Sequence, residues 1–159
     1  MAIKRVQKVY ADTSVFGGVF DEEFEKASRE FFDLVRWGRF SLVVSNTLAK
    51  EISDAPSQVQ ELFAEMDALS ELAVDFEAAV SLQQSYITHG IVRRESLTDA
   101  LHVALATVSG CQIIVSWNFR DIVHFQKIPL YNAVNRLEGY SEIAIHSPQE
   151  VIADEDQDV

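Results

Sequence analysis

A three-layer α/β/α sandwich around a mainly parallel sheet is the fold class this sequence predicts, and three observations predict it. Strand-like and helix-like patterns alternate along most of the chain, as they do where crossover helices connect parallel strands. Leu97 to Phe119, LTDALHVALATVSGCQIIVSWNF, reads as an apolar helix that breaks at Gly110 and feeds an apolar strand, Gln112 to Ser116. Oxygen-bearing side chains follow the strands, at the rim where an open parallel sheet gathers strand ends and helix starts and binds its ligands.

The elements follow in order. Val6 to Ala11 is a first strand that runs into Asp12-Thr13-Ser14 and a glycine turn at Gly17-Gly18. Two readings of Asp12 fit this layout: a turn cap, or a site residue at a strand end. Glu22 to Trp37 is an amphipathic helix with Phe24, Ala27, Phe31, Phe32 and Val35 at helical spacing, closed by Gly38. That spacing makes its aromatics core residues rather than a platform for stacking bases. Phe40 to Val44 is a second strand, and Ser45-Asn46-Thr47 supplies the cap for a helix that carries Glu51. Glu51 lies about 6 to 7.5 Å along the axis from that cap, close enough to lean over the rim.

Pro56 opens a helix through Val59, Leu62, Phe63, Met66 and Leu69, whose acidic face (Glu61, Glu65, Asp67) is a solvated one. Leu72 to Val74 is a short edge strand or link, and Phe76 to Thr88 is helical, with Phe76, Ala79, Val80 and Ile87 inward. The helical pair from Val59 to Ile87 fits a protruding hairpin, whose apolar positions either cover the sheet or form a dimer surface. Arg93-Arg94-Glu95 is a polar connection into the Leu97 helix. Pro129 precedes a helix from Leu130 to Leu137, Ile143 to Ile145 is a final strand, and Ser147-Pro148-Gln149-Glu150 opens a last turn. One domain over residues 1–152 and an acidic disordered tail over residues 153–159 complete the organisation.

From Ala100 to Phe119 there is no formal charge when His102 is neutral, and about 20 such residues are long enough to cross a bilayer. Thr107, Ser109, Gly110, Gln112, Ser116 and Asn118 make the run too polar for that, so a buried helix and strand are expected and no membrane span. The 159 residues are 48% hydrophobic and 24% charged, enough apolar material for a core and too little charge for disorder. A single cysteine, Cys111, excludes an internal disulfide, reads as a small buried filler, and points to the cytoplasm. Lys4, Arg5 and Lys8 are not followed by the apolar core of a secretory signal. The net charge of −12 disfavours broad phosphate binding, suits a basic protein partner, and leaves room for a nuclease that grips phosphate through a divalent metal.

Asp12, Glu51, Asp99 and Asn118 all fall on the expected rim. Four oxygen donors of this kind suit Mg²⁺ or Mn²⁺. Three carboxylates packed together repel one another, and a divalent ion removes that penalty and activates water for attack on phosphorus. Asp99 at a helix start is also favoured as an anion. His102 shares a helix face with Asp99 at i, i+3 spacing and reads as a buried histidine making a local hydrogen bond. The sequence holds no GxxxxGK[ST], no GxSxG and no cysteine cluster for zinc.

Asp12-Thr13-Ser14 after a strand, Glu51 in SNTLAKEI, Asp99 in TDALHVALA and Ser116-Trp117-Asn118-Phe119 after a strand together resemble the PIN domain family, in its VapC-like branch with an SWNF segment. The resemblance covers almost the whole chain, including the ending NAVNRLEGYSEIAIHSPQEV. It implies a Rossmann-like α/β/α fold, metal-dependent RNA hydrolysis with Mg²⁺ or Mn²⁺, a role as toxin beside an antitoxin protein, and a homodimer. It assigns catalysis and metal binding to Asp12, Glu51 and Asp99, with Asn118 as a fourth ligand and Ser14 as a rim hydroxyl. Ser116 and the arginines Arg93, Arg94 and Arg120 are expected to position the RNA backbone. Asn118 stands where many of these nucleases have an aspartate, and Asp121 is a candidate substitute for that acid. A weakened PIN-like module that binds protein or RNA is the competing reading, and a phosphatase acting on small phosphate esters a third.

Overall fold

In a computed structural model that describes residues 5–157, the chain forms five strands and eight α-helices in the order β1 (Gln7–Ala11), α1 (Thr13–Gly18), α2 (Glu25–Arg36), β2 (Phe40–Val44), α3 (Asn46–Ile52), α4 (Ser57–Asp67), β3 (Glu71–Leu72), α5 (Phe76–Thr88), α6 (Leu97–Val108), β4 (Ile113–Val115), α7 (Ile128–Leu137), β5 (Ala144–His146) and α8 (Pro148–Gln157). A 3-10 turn, Arg94–Ser96, leads into α6. The sheet has the order β3-β2-β1-β4-β5, and every pairing is parallel. It is the expected α/β/α fold.

Alternation along each strand splits the core in two. Val9, Ala11, Leu42, Val44, Ile113 and Val115 face one layer, with Phe16, Phe31, Phe32, Leu48, Met66 and Val151 of the covering helices. Tyr10, Val43, Ile114 and Ile145 face the other, with Leu82, Tyr86, Val103, Ala104 and Tyr131. α6 is buried nearly all round, from Ala100 to Thr107. It stops where Gly110 takes φ +76°, and Cys111 N–H then donates to Ala106 O (3.0 Å), the left-handed ending that favours glycine. Cys111 is buried, which pushes its thiol up to about 12 and fits a packing role.

Four expectations change in three dimensions. The Gly17-Gly18 pair is not a turn: Asp12 caps α1 by accepting from Ser14 N–H, and both glycines lie inside that helix. The segment from Val59 to Ile87 is not a hairpin. β3 lies between α4 and α5, so Val59, Leu62 and Met66 pack on one face of the sheet while Ala79, Leu82 and Tyr86 pack on the other. Phe76, expected inward, is exposed; Leu82, Gln83 and Tyr86 carry the buried face of α5 instead. The final segment is helical through Gln157 rather than disordered from residue 153; Ser147 N–H donates to Glu150 Oε1 (3.0 Å) at its start, and Val151 and Ile152 are buried against α2. Residues 158–159 of the expected tail lie outside the described residues.

Gly18 shows why one of the two glycines is needed. A Cβ there would stand 2.6 Å from Ser28 Oγ and 2.9 Å from Trp117 Nε1, which are themselves hydrogen-bonded at 2.8 Å; at Gly17 nothing lies within 4 Å. Gly18→Ala is therefore expected to destabilise the fold by about 1–3 kcal/mol. Gly17→Ala is expected to be neutral or stabilising by about 0.5 kcal/mol. Urea unfolding of the two variants side by side checks the contrast.

Candidate metal and phosphate site

β1 connects to β2 on one side and lies against β4 on the other, so the strand order reverses between β1 and β4. In a parallel sheet that is where the crevice opens, beyond the carboxyl ends of the strands. Ala11 pairs with Val115, which sets Asp12 beside Ser116 as the two strands end. Asp12 is 3% exposed. Its Oδ1 accepts from Ser14 N–H (3.1 Å) and Ser14 Oγ (2.5 Å), and its Oδ2 accepts from Ser116 Oγ (2.6 Å). Each serine oxygen in turn accepts a backbone donor: Trp117 N–H at Ser14 (2.9 Å) and Asn118 N–H at Ser116 (2.9 Å). Burial pushes the Asp12 carboxyl up; the neighbouring His102 ring and the serine hydrogen bonds pull it back without offsetting burial. Both serines expected to meet substrate hydrogen-bond to Asp12. Asp12 is both the cap of α1, which bears out the capping reading, and a buried acid at the strand end.

Asp99 opens α6 and is half-buried. Its carboxyl is also pushed up, by burial first and then by the charges of Asp12 and Asp121; His102 and a hydrogen bond donated by the Asn118 amide oppose the shift. Asn118 reaches the rim, but its oxygen is spent. Oδ1 accepts from Arg120 N–H (3.2 Å) and Asp121 N–H (2.9 Å), capping the turn after β4. These two donors fix the oxygen side of the amide and leave its NH₂ to face Asp99. Asp121 is buried, and Lys127 Nζ donates to its Oδ1 (3.1 Å). Lys127 was not legible from sequence, since it lies six residues on, past an irregular turn.

Glu51 is on α3, as expected, and takes a different partner from the other acids. Thr13 Oγ1 donates to its Oε1 (2.9 Å), and His102 Nε2 donates to the same oxygen. Burial raises the Glu51 carboxyl, but the hydrogen bond and charge of His102, with the Thr13 bond, outweigh it and hold the group below the usual carboxylate range. His102 is thus buried, as read, but its hydrogen bonds are long-range rather than local. Its i, i+3 spacing from Asp99 was the one signal in the sequence that it belonged here. Arg93, Arg94 and Arg120 are exposed, the first two just before α6 and the third in the Asn118 turn.

The donor set is of hard oxygens, which suits Mg²⁺ or Mn²⁺. Among the described residues no three His, Cys, Asp or Glu side chains are gathered closely enough to enclose one ion. An open site of one or two carboxylates, Asp12 and Asp99, completed by water and phosphate, fits this geometry. A closed three-acid cage including Glu51 does not.

The architecture is an α/β/α sandwich whose five-stranded parallel sheet places Asp12 and Asp99 at its switch point. Solved structures share it. The chain is similar to VapBC2 from Rickettsia felis, in a complex bound to a DNA fragment from its promoter, with a TM-score of 0.52, 10% identity, and coverage of 88% of this chain and 98% of that one. It is similar also to FitAcB from Neisseria gonorrhoeae, with a TM-score of 0.53, 10% identity, and coverage of 89% and 98%. No family model and no curated protein matches the sequence.

The raised Asp99 carboxyl has a consequence for stability. Its folded value lies above its unfolded one, so the penalty is absent below about pH 4 and complete once pH exceeds the folded value. In EDTA, Asp99→Asn is expected to raise the urea midpoint at pH 7, with the gain shrinking as pH falls toward about 4. A loss at pH 7 would mean that the bond from Asn118 outweighs the repulsion from Asp12 and Asp121.

Proposed function

We propose that this protein is a metal-dependent endoribonuclease that hydrolyses RNA phosphodiester bonds and serves as the toxin of a toxin–antitoxin pair. The observation that carries the reading is the pair of acids Asp12 and Asp99 at the switch point. Both carboxyls are pushed up, and the charge of Asp12 contributes to the shift at Asp99, so the pair is poised to gain from a divalent cation. Asp12 and Asp99 would hold Mg²⁺ or Mn²⁺, with Glu51 and Asp121 beside them. The ion, when bound, supplies Lewis acidity to a phosphate and lowers the pKa of water.

The chain's own residues would do the rest. Ser14 and Ser116 hold the Asp12 oxygens in place, and the Asn118 amide orients Asp99. Arg93, Arg94 and Arg120 would meet the RNA backbone from the rim, supplying local positive charge that a chain of net charge −12 otherwise lacks. The acidic surface favours a basic antitoxin segment as partner. A homodimer acting in the cytoplasm completes the proposal; no helix among the described residues is long and apolar enough to cross a membrane.

One observation favours the alternative of a weakened binding module. Asn118 adds no charge at the fourth position, and its oxygen already caps a turn. Calorimetry with Mn²⁺ and cleavage of single-stranded RNA separate the two. The wild type is expected to bind Mn²⁺ and cut RNA, and Asp12→Asn to lose binding and cut on the order of a hundredfold more slowly or worse. RNA binding without cleavage, at any Mn²⁺ concentration, would favour the module. Expression should arrest growth and a co-expressed partner should relieve it; harmless soluble protein would remove the toxin role.

A further inference from the structure

The turn after β4 serves more than the acids. Asn118 faces Asp99, while its neighbours Trp117 and Phe119 both line a cavity of about 610 Å³ between that turn, the start of α2 and α8. A space of this size is in the range of small-molecule sites. Its aromatic wall is held in place. Trp117 stacks on Phe24 with ring centroids 4.3 Å apart and planes within 24°, and its indole N–H donates to Ser28 Oγ (2.8 Å). Phe24, expected in the core, is half-buried at the cap of α2 instead. The ring of Phe119 stands at 65° to Trp117, with centroids 6.1 Å apart, and is 50% exposed.

Position and charge together select an occupant. The Trp117 N–H donates to Ser14 Oγ, the same hydroxyl that donates to Asp12. One residue on, Asn118 touches Asp99, and one further on is Phe119. The cavity wall is therefore continuous with the place where a phosphate would lie, since consecutive residues are only about 3.8 Å apart. Arg120, next along, is exposed on the same turn and free to face solvent-side phosphate. The polar lining is acidic, with Glu23 and Glu30 against one lysine, Lys26. Such a lining repels a phosphate, whereas carboxylates accept the amino and imino N–H groups of a base. Of the parts of a nucleotide, the flat uncharged one fits three aromatic rings and two acids; every base has a π-face to stack.

We propose that the cavity lined by Phe24, Trp117 and Phe119 is a base-stacking subsite for a nucleotide next to the scissile phosphate, with Phe119 as the exposed ring that meets the base. The proposal rests on the nuclease reading above and adds to it how this chain grips a single strand. With a net charge of −12 it has little to offer a phosphate backbone. Stacking holds the strand by its bases instead.

Tryptophan fluorescence reads the cavity directly. The chain has two tryptophans, and Trp37 is 71% exposed at the far end of α2, so Trp37→Phe leaves Trp117 as the one reporter. In EDTA, a single-stranded hexanucleotide RNA is expected to quench Trp117 saturably, and an abasic strand of the same length and charge to leave it unchanged. In that background Phe119→Ala is expected to weaken RNA binding about tenfold, and Phe119→Tyr, which keeps the ring, to stay within about threefold. Equal affinities for the alanine variant and its parent, or equal quenching by the abasic strand, would overturn the subsite. Quenching by a basic Lys-Leu peptide and not by RNA would also overturn it and give the cavity to a protein partner. With Mn²⁺, RNA cleavage at the same kcat/KM by wild type and Phe119→Ala removes the subsite and leaves the nuclease reading standing. Base-dependent quenching in a protein that cuts no RNA at any Mn²⁺ concentration sinks the nuclease reading and leaves the subsite standing.

Discussion

The burial of the Asp12 carboxylate where β1 and β4 end side by side is the constraint on which the rest of the site depends. A buried charge is costly unless hydrogen-bonded, and here the sheet itself delivers the donors. The parallel register that pairs Ala11 with Val115 sets Ser116 beside Asp12, and the first turn of α1 brings Ser14 to its other oxygen. The serines then accept the backbone N–H groups of Trp117 and Asn118, so the acid fixes the path of the chain leaving β4. That path is tight. Trp117 stacks on Phe24 at 4.3 Å and bonds Ser28, and Gly18 is the residue that lets α1 pass beneath them.

The same logic extends to the other acids. Each is answered by its own set of donors: hydroxyls and a backbone N–H at Asp12, an amide at Asp99, an imidazole and a hydroxyl at Glu51, an ammonium at Asp121. Among the described residues no buried side-chain polar atom lacks a partner. The rim is therefore internally satisfied, while two of its carboxyls remain pushed up by burial and, at Asp99, by like charge. A cation would be drawn by that remaining electrostatic strain rather than by vacant ligands.

The balance of charge on the protein points the same way. With a net charge of −12, long-range attraction to RNA is absent, and phosphate contact would fall to the few arginines at the rim and to an ion. A basic partner, by contrast, would find an acidic surface over much of the molecule.

Much of this was legible in the sequence. Short apolar runs gave the strands, and β2 and α5 have the bounds the pattern predicts. The Leu97 to Phe119 stretch read correctly as a buried helix and strand because apolar composition on all sides leaves no solvated face. Asp12, Glu51, Asp99 and Asn118 were placed on one rim because parallel strands with right-handed crossovers put their carboxyl ends together. Periodicity could not tell which sheet face a helix covers, so α4 and α5 read as a pair until β3 parted them. Nor could one-dimensional spacing show that Ser14 and Ser116 turn inward, that Lys127 closes on Asp121, or that His102 reaches across to Glu51 rather than along its own helix. Local spacing determines which side chains a helix or strand presents. Which of them share a hydrogen bond depends on the register and crossing of elements far apart in the chain, and that only the folded structure decides.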